Sequence, residues 1–307
     1  MLVWLLFACS PSEPVDTNRA EVVSERPSPP PTILAERPDT LIAIGDVHGD
    51  FRQTKSVLRM AGVIDFNERW VAGNATVVQT GDQLDRGDGE EQILELFEDL
   101  ADQAHAAGGA FYSLLGNHEV MNVELDLRYV TEGGFEDFAD TPYDDSDAFY
   151  EEYEANERGR VAAFRPGGEW AKVLSNHNVV MQIGDTLFVH GGILPEHVDY
   201  GLNRINKETR QWMRDKGVFP SILNGDDSPI WTRIYSDDDA EPDCARLEET
   251  LGKANASYMV VGHTVWDTIN PACDGKLWRV DVGMSAYYGG AVQALKMEGE
   301  DLSVLAE

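Results

Sequence analysis

Basic residues are scarce in this chain: 24 Lys and Arg stand against 55 Asp and Glu, for a formal charge of −31 over 307 residues. Such a surface repels polyanions, and with no basic stripe anywhere a nucleic-acid partner is excluded. No run reaches the roughly 20 apolar residues that a bilayer-spanning helix needs. Cysteine is nearly absent too, with three residues and no CxxC spacing, so a thiolate-built metal site is excluded. There is no GxSxG elbow and no CxxxxxR loop, which removes sequence support for a covalent enzyme intermediate. Internal repeats are lacking, and the seven tryptophans show no regular spacing. What is there is enough for a globular body: 42% hydrophobic residues and 9% aromatics, in a length suited to one large domain or two ordinary ones.

The two ends of the composition differ. Residues 1–9, MLVWLLFAC, are apolar, and the Ala8-Cys9-Ser10 junction resembles the signal segment and lipobox of a bacterial lipoprotein. That reading predicts a lipid on Cys9 as the one membrane contact, in the periplasm or cell envelope. Residues 10–37 are rich in Pro, Ser and charge without helical or strand period, and read as a disordered tether. The folded domain is then residues 38–307. Cys244 and Cys273 would be free thiols or, in an oxidising compartment, a disulfide.

From residue 40 the pattern alternates between strand and helix. TLIAIGDVHGD is a strand-length apolar run followed by a helical period from Phe51 to Ala61, and ATVVQTGDQLDRGD repeats the arrangement. The second helix, from about Glu90, carries Ile93, Leu94, Phe97, Leu100 and Ala104 on one face and stops at Gly108-Gly109. AFYSLLGNHE, NVVMQIGDTLFVHGG, SYMVVGHT and LWRVDVG add further strands. Open α/β sheets bind ligands outside the carboxyl ends of their strands, so Asp46, His48, Asp82, Asn117, His190 and His263 are predicted to meet in one crevice. Between about residues 120 and 175 a polar, acid-rich stretch fits neither strands nor connecting helices, and reads as a mostly helical insertion beside that crevice. The acid-rich loop Asp237 to Glu249 reads as solvated surface.

Carboxylate oxygens and imidazole nitrogens at several strand ends are what a two-cation hydrolase needs, with one ligand shared between ions about 3.5–4 Å apart. Asp46 and His48 can serve one cation, Asp82 can bridge, and Asn117, His190 and His263 complete the second. Any one of these has a plain structural explanation as a turn or buried residue. The joint occurrence of GDVHG, GDQLDRG, GNHE, FVHGG and VVGH does not.

These blocks, in this order over about residues 40 to 290, resemble the calcineurin-like metallophosphoesterases, in their phosphoprotein phosphatase branch; GDQLDRGD with GNHEVMN further resembles the bacterial-type Shewanella-like phosphatases. The resemblance implies a four-layer α/β/β/α sandwich, two divalent metal ions (manganese, with iron or zinc as alternatives) and attack on phosphomonoesters by metal-bridging hydroxide. His118, beside Asn117, would then protonate the departing oxygen, with Asp85 holding its ring. Arg86 would present its planar fork to phosphate, and Arg233, in PIWTRIYS, would be a second clamp. Glu119 is expected to orient its neighbours from behind, and Asp281 to be a turn residue, with support of a histidine ligand as the alternative. His105 reads as a helix surface residue, and His177 and His197 as structural or loop residues. The segment DVGMSAYYGG departs from the Ser-Ala-Pro-Asn-Tyr stretch of eukaryotic members. The implied substrates are phosphorylated proteins, phosphotyrosine included, or small phosphoesters. A dinucleoside polyphosphate hydrolase would use the same cluster, and a noncatalytic binding lipoprotein would keep only the fold.

Overall fold

Runs such as Leu41-Ile42-Ala43-Ile44 and Val77-Val78 offer no polar face, and they form strands buried on both sides. The computed structural model describes residues 28–237 and 239–306, so residues 1–9 and most of the expected tether lie outside the described residues. In chain order come β1 (Ile33–Leu34), β2 (Thr40–Ile44), α1 (Phe51–Met60), β3 (Thr76–Gln79), α2 (Glu90–Ala106) and β4 (Ala110–Ser113). Then follow α3 (Asn117–Val123), α4 (Glu132–Glu136), α5 (Arg158–Phe164), α6 (Glu169–Leu174), β5 (Val180–Ile183) and β6 (Thr186–Val189). The chain continues through α7 (Pro195–Tyr200), α8 (Leu202–Met213), α9 (Cys244–Ala254) and β7 (Tyr258–Val261). It ends with β8 (Asn270–Ala272), β9 (Leu277–Arg279), β10 (Gln293–Glu298) and β11 (Asp301–Ala306).

The strands make two mixed sheets, ordered β1-β5-β6-β7-β9-β8 and β11-β10-β2-β3-β4. Within them β2, β3 and β4 are parallel, and so are β6, β7 and β9. Alternation along the strands separates the layers. Met181, Ile183, Phe188 and Val260 of the first sheet join a core with Ile42, Val78 and Leu295 of the second, and with Val57 and Phe97 from α1 and α2. Their neighbours Val180, Leu187, Val189 and Met259 face the other way, against Ile205 and Trp212 of α8 and Leu251 of α9. This is the helix-sheet-sheet-helix order expected of the sequence.

Two expectations need correction. The tether reading extends too far: Ile33 and Leu34 pair in parallel with Gln182 and Ile183, and the Thr32 hydroxyl accepts from Asn206 Nδ2 at 2.9 Å. A two-residue strand leaves no period in a sequence, which is why it reads as linker. The acid-rich stretch from Asp237 is not loop throughout, because Asp243 accepts from Arg246 N at 3.0 Å and starts α9.

The insertion is indeed built from short helices, and it is packed rather than appended. Tyr150, Val161 and Ala162 form a small core of their own, while Phe138, Ala163 and Phe164 join the core that faces α8 and α9.

Cys244 and Cys273 are joined as a disulfide that ties the start of α9 to the chain after β8, across 29 residues of sequence. Closing a loop of that length stabilises by about 3–4 kcal/mol. Replacing both cysteines with serine should therefore lower the melting temperature by roughly 5–10 °C in calorimetry. An unchanged melting temperature would show that the link adds nothing to the fold.

Candidate active site

The six predicted metal-site side chains sit just past the carboxyl ends of strands. Asp46 and His48 follow β2, Asp82 to Arg86 follow β3, Asn117 follows β4, His190 follows β6, His263 follows β7 and Asp281 follows β9. The structure brings the two sheets' strand ends together: His263 N lies 3.2 Å from Asp46 Oδ2, and His190 Nε2 lies 2.9 Å from Asn117 Oδ1.

Asp82 is at the centre. Its Oδ2 is 3.3 Å from His190 Nε2, 3.7 Å from His48 Nε2 and 3.8 Å from His118 Nε2. Its other oxygen accepts from His118 N at 3.0 Å, which fixes the plane of the carboxylate. Glu119 holds the loop behind it, accepting from the backbone N–H groups of Asp82 (2.8 Å), Gln83 (2.8 Å), Leu84 (3.1 Å) and Gly116 (2.7 Å). The orienting role expected of Glu119 is therefore visible as four hydrogen bonds. A Cβ at Gly116 would stand 2.1 Å from Asp82 Oδ1, and one at Gly262 would stand 2.4 Å from Asp46 Oδ1, so both positions require glycine for the carboxylates to approach.

The backbone is strained here. His48, Asp82, Asp85, Arg86 and His263 all have φ between +42° and +71°. Each such residue costs on the order of 1–3 kcal/mol, a strain tolerated where side chains must be aimed.

The imidazoles are set as lone-pair donors. His48 Nδ1 faces the Leu84 carbonyl (3.1 Å), His190 Nδ1 the Thr80 carbonyl (3.0 Å) and His263 Nε2 the Trp231 carbonyl (3.1 Å). A carbonyl only accepts, so each of those ring nitrogens carries the proton and the opposite nitrogen turns a lone pair inward. Burial pushes His48 down to about 3 and His263 well below the usual histidine range, so both are neutral rings. His190 Nε2 and His263 Nδ1 face each other at 3.1 Å, beside Asn117 Oδ1 and Asp82 Oδ2. Two ring nitrogens, an amide oxygen and a carboxylate oxygen converging at this spacing are a donor set that suits a divalent cation.

The carboxylates make the same demand. Burial first, then the neighbouring Asp281 and Asp82, push the Asp46 carboxyl well above its ordinary range. Burial pushes Asp281 up to about 6. Asp281 accepts from Gly283 N at 2.9 Å, as the turn reading expects, but it is buried and also bonds to Asp46, so it supports the cluster as well. Among the described residues, His48, Asp82 and His118 present atoms close enough to grip one ion, and Asp82, His190 and His263 another. The donor set of hard oxygens and neutral imidazoles fits two divalent cations.

His118 and Asp85 form a pair, with Nδ1 to Oδ2 at 2.5 Å and both side chains buried. Burial alone would push His118 down; Asp82 and Asp85 outweigh it and hold the ring above the usual histidine range. Tyr129, from the insertion, lies against His118 with ring centroids 5.2 Å apart. The Arg86 guanidinium is framed by Tyr129 (5.1 Å), Tyr287 (5.5 Å) and Tyr288 (5.1 Å), and its Nε has no hydrogen-bond partner. It opens on a groove of about 400 Å³ that His48, Thr131, Ser285 and Tyr287 also line. Arg233 sits at the rim, donating to the His263 carbonyl (2.9 Å) and to Thr264 Oγ1 (2.6 Å).

Histidines expected to lie elsewhere do so. His177 pairs with Glu98 at 2.8 Å, His197 Nδ1 accepts from Leu194 N at 3.1 Å, and His105 lies on α2. Sequence reasoning missed Asn122, Glu90 and Arg160, which are buried directly behind Asp85. Only Asn122 carried a signal, one helical turn after His118.

Residues 40–267 match the family described as calcineurin-like phosphoesterase. The chain is 41% identical to "Shewanella-like protein phosphatase 2" of Arabidopsis thaliana over 283 residues, covering 81% of this chain and 72% of the relative. It is 28% identical to "Shewanella-like protein phosphatase 1" of Plasmodium berghei, covering 80% and 67%. A solved structure described as a cold-active protein tyrosine phosphatase superposes with a TM-score of 0.72 at 25% identity, covering 89% of this chain and 78% of that one. The chain thus belongs to the calcineurin-like phosphoesterases, among the Shewanella-like protein phosphatases, and is a phosphoric monoester hydrolase that uses divalent metal ions.

Proposed function

We propose that the protein is a two-metal protein phosphatase that takes phosphotyrosine among its substrates. The observation that carries the metal reading is the convergence of Asp82 Oδ2, Asn117 Oδ1, His190 Nε2 and His263 Nδ1. Asp46 and His48 supply the other half of the cluster, with Asp82 shared. Divalent cations held there would supply an activated water for in-line attack on phosphorus. Arg86, framed by three tyrosine rings, offers its fork to the phosphate oxygens, and Arg233, beside His263, is the second clamp. His118 gives its Nε2 proton to the leaving oxygen while Asp85 stabilises the imidazolium.

Two observations support an aryl ester. The exposed faces of Tyr287 and Tyr288 stand where the DVGMSAYYGG segment departs from the eukaryotic pattern, beside Arg86. The superposed structure is described as a tyrosine phosphatase. The disulfide supports an oxidising compartment, in keeping with a lipid-anchored protein of the cell envelope.

With manganese, phosphotyrosine peptides should be hydrolysed at higher kcat/KM than phosphoserine peptides or diadenosine tetraphosphate, and a chelator should remove all three activities. Preference for the dinucleotide would replace this reading with a polyphosphate hydrolase. No hydrolysis in any metal would leave a binding protein.

A further inference from the structure

Behind the acid lies a buried arginine that none of the chemistry above uses. Arg160, on α5 of the insertion, is fully buried, with its guanidinium between the rings of Phe138 (5.1 Å) and Phe164 (5.0 Å). Its Nε donates to Asn122 Oδ1 at 2.8 Å, one terminal nitrogen donates to the Gly134 carbonyl at 2.7 Å and to the Glu90 carboxylate, and the other lies 3.4 Å from Asp85 Oδ1. Asn122 Nδ2 donates to that same Asp85 oxygen at 3.0 Å and to the His118 carbonyl at 2.9 Å. Glu90 closes the circuit by accepting from Asp85 N. Arg160 therefore reaches Asp85 directly, through Asn122 and through Glu90, and leaves Asp85 Oδ2 to His118 alone.

We infer that Arg160 is a positioning residue for the acid step, by which the insertion fixes Asp85 and, through it, the ring of His118. The inference rests on the reading of His118 as the acid. A carboxylate at zero exposure with its second oxygen unheld could turn away from His118, and the Arg160 guanidinium and Asn122 amide at Asp85 Oδ1 fix its orientation. Lysine cannot substitute, because only a planar fork serves four acceptors in different directions while lying between two rings. The insertion is in this respect part of the machinery and not decoration.

The competing explanation is that Arg160 only pins the insertion to the domain. Leaving-group dependence separates the two. Phenolate departs from phosphorus poorly without a proton, whereas 2,4-dinitrophenolate needs none. With the manganese-loaded full chain, R160Q should lose about 10- to 100-fold in kcat on phenyl phosphate. It should stay within about threefold on 2,4-dinitrophenyl phosphate, with KM and metal content unchanged. Equal losses on both esters would overturn the inference. Should R160Q not fold, N122A cuts the bridge from Arg160 to Asp85 without stranding a charge, and the same comparison decides. His118→Asn is the reference. If it too shows no selectivity between the esters, the acid reading fails, and the inference with it; if it does and R160Q does not, only the role of Arg160 fails.

Discussion

Asp82→Asn is expected to abolish hydrolysis of p-nitrophenyl phosphate while leaving the protein folded. The amide keeps the shape of the side chain and its hydrogen bond from His118 N, but it removes the one charge that faces His48, His118 and His190 together. On the proposed reading that charge is shared by two ions and would govern both their affinity and the field between them. Its loss removes several kcal/mol of transition-state stabilisation, which at about 1.4 kcal/mol per tenfold is on the order of 10³-fold or more. Elemental analysis should find fewer than two bound metals in the variant, with the far-ultraviolet circular dichroism unchanged. Activity within tenfold of the parent would place the bridging carboxylate elsewhere.

His118→Asn should lower kcat by about 10²- to 10⁴-fold on an ester with a poor leaving group. The geometry gives this variant a second use. His118 stands close enough to His48 and Asp82 to be counted with them as a grip on one ion, while Asp46 Oδ2 lies 4.0 Å from His48 Nε2. An acid can be removed without loss of metal; a ligand cannot. Retention of two metals by H118N therefore supports Asp46 as the ligand and His118 as the acid. The pH dependence follows from the same pair. Asp82 and Asp85 hold His118 above its ordinary range, so its proton is present below that raised value and is lost as pH climbs through it. Asp85→Asn removes part of that support, and the alkaline limb of kcat should move to lower pH. A limb that stays where it is would assign the titration to another group.

The cluster was legible in the sequence because its ligands stand in short blocks at strand ends, where local pattern and turn chemistry coincide. Asp46, Asp82, Asn117, His190 and His263 could be placed without knowing any distance, since parallel strands put their carboxyl ends on one side. What supports them was not. Arg160 meets Asp85 from 75 residues away in sequence, on a seven-residue helix whose pattern says only that it is helical. The β10–β11 hairpin and the two-residue β1 were also unread: β11 is an exposed edge strand with weak alternation, and β1 has no length for a period. Asp281 shows why a local reading can be correct and incomplete, because the oxygen that closes its turn belongs to a carboxyl that also touches Asp46. Contacts between elements come from the packing of layers, which residue spacing does not encode.

Diffraction at the manganese absorption edge from crystals grown with manganese and phosphate tests the two-metal centre directly. The account predicts two ions, both touching Asp82, one held also by Asp46 and His48 and the other by Asn117, His190 and His263, with Arg86 on the phosphate. A single ion, or two that do not share Asp82, would contradict it.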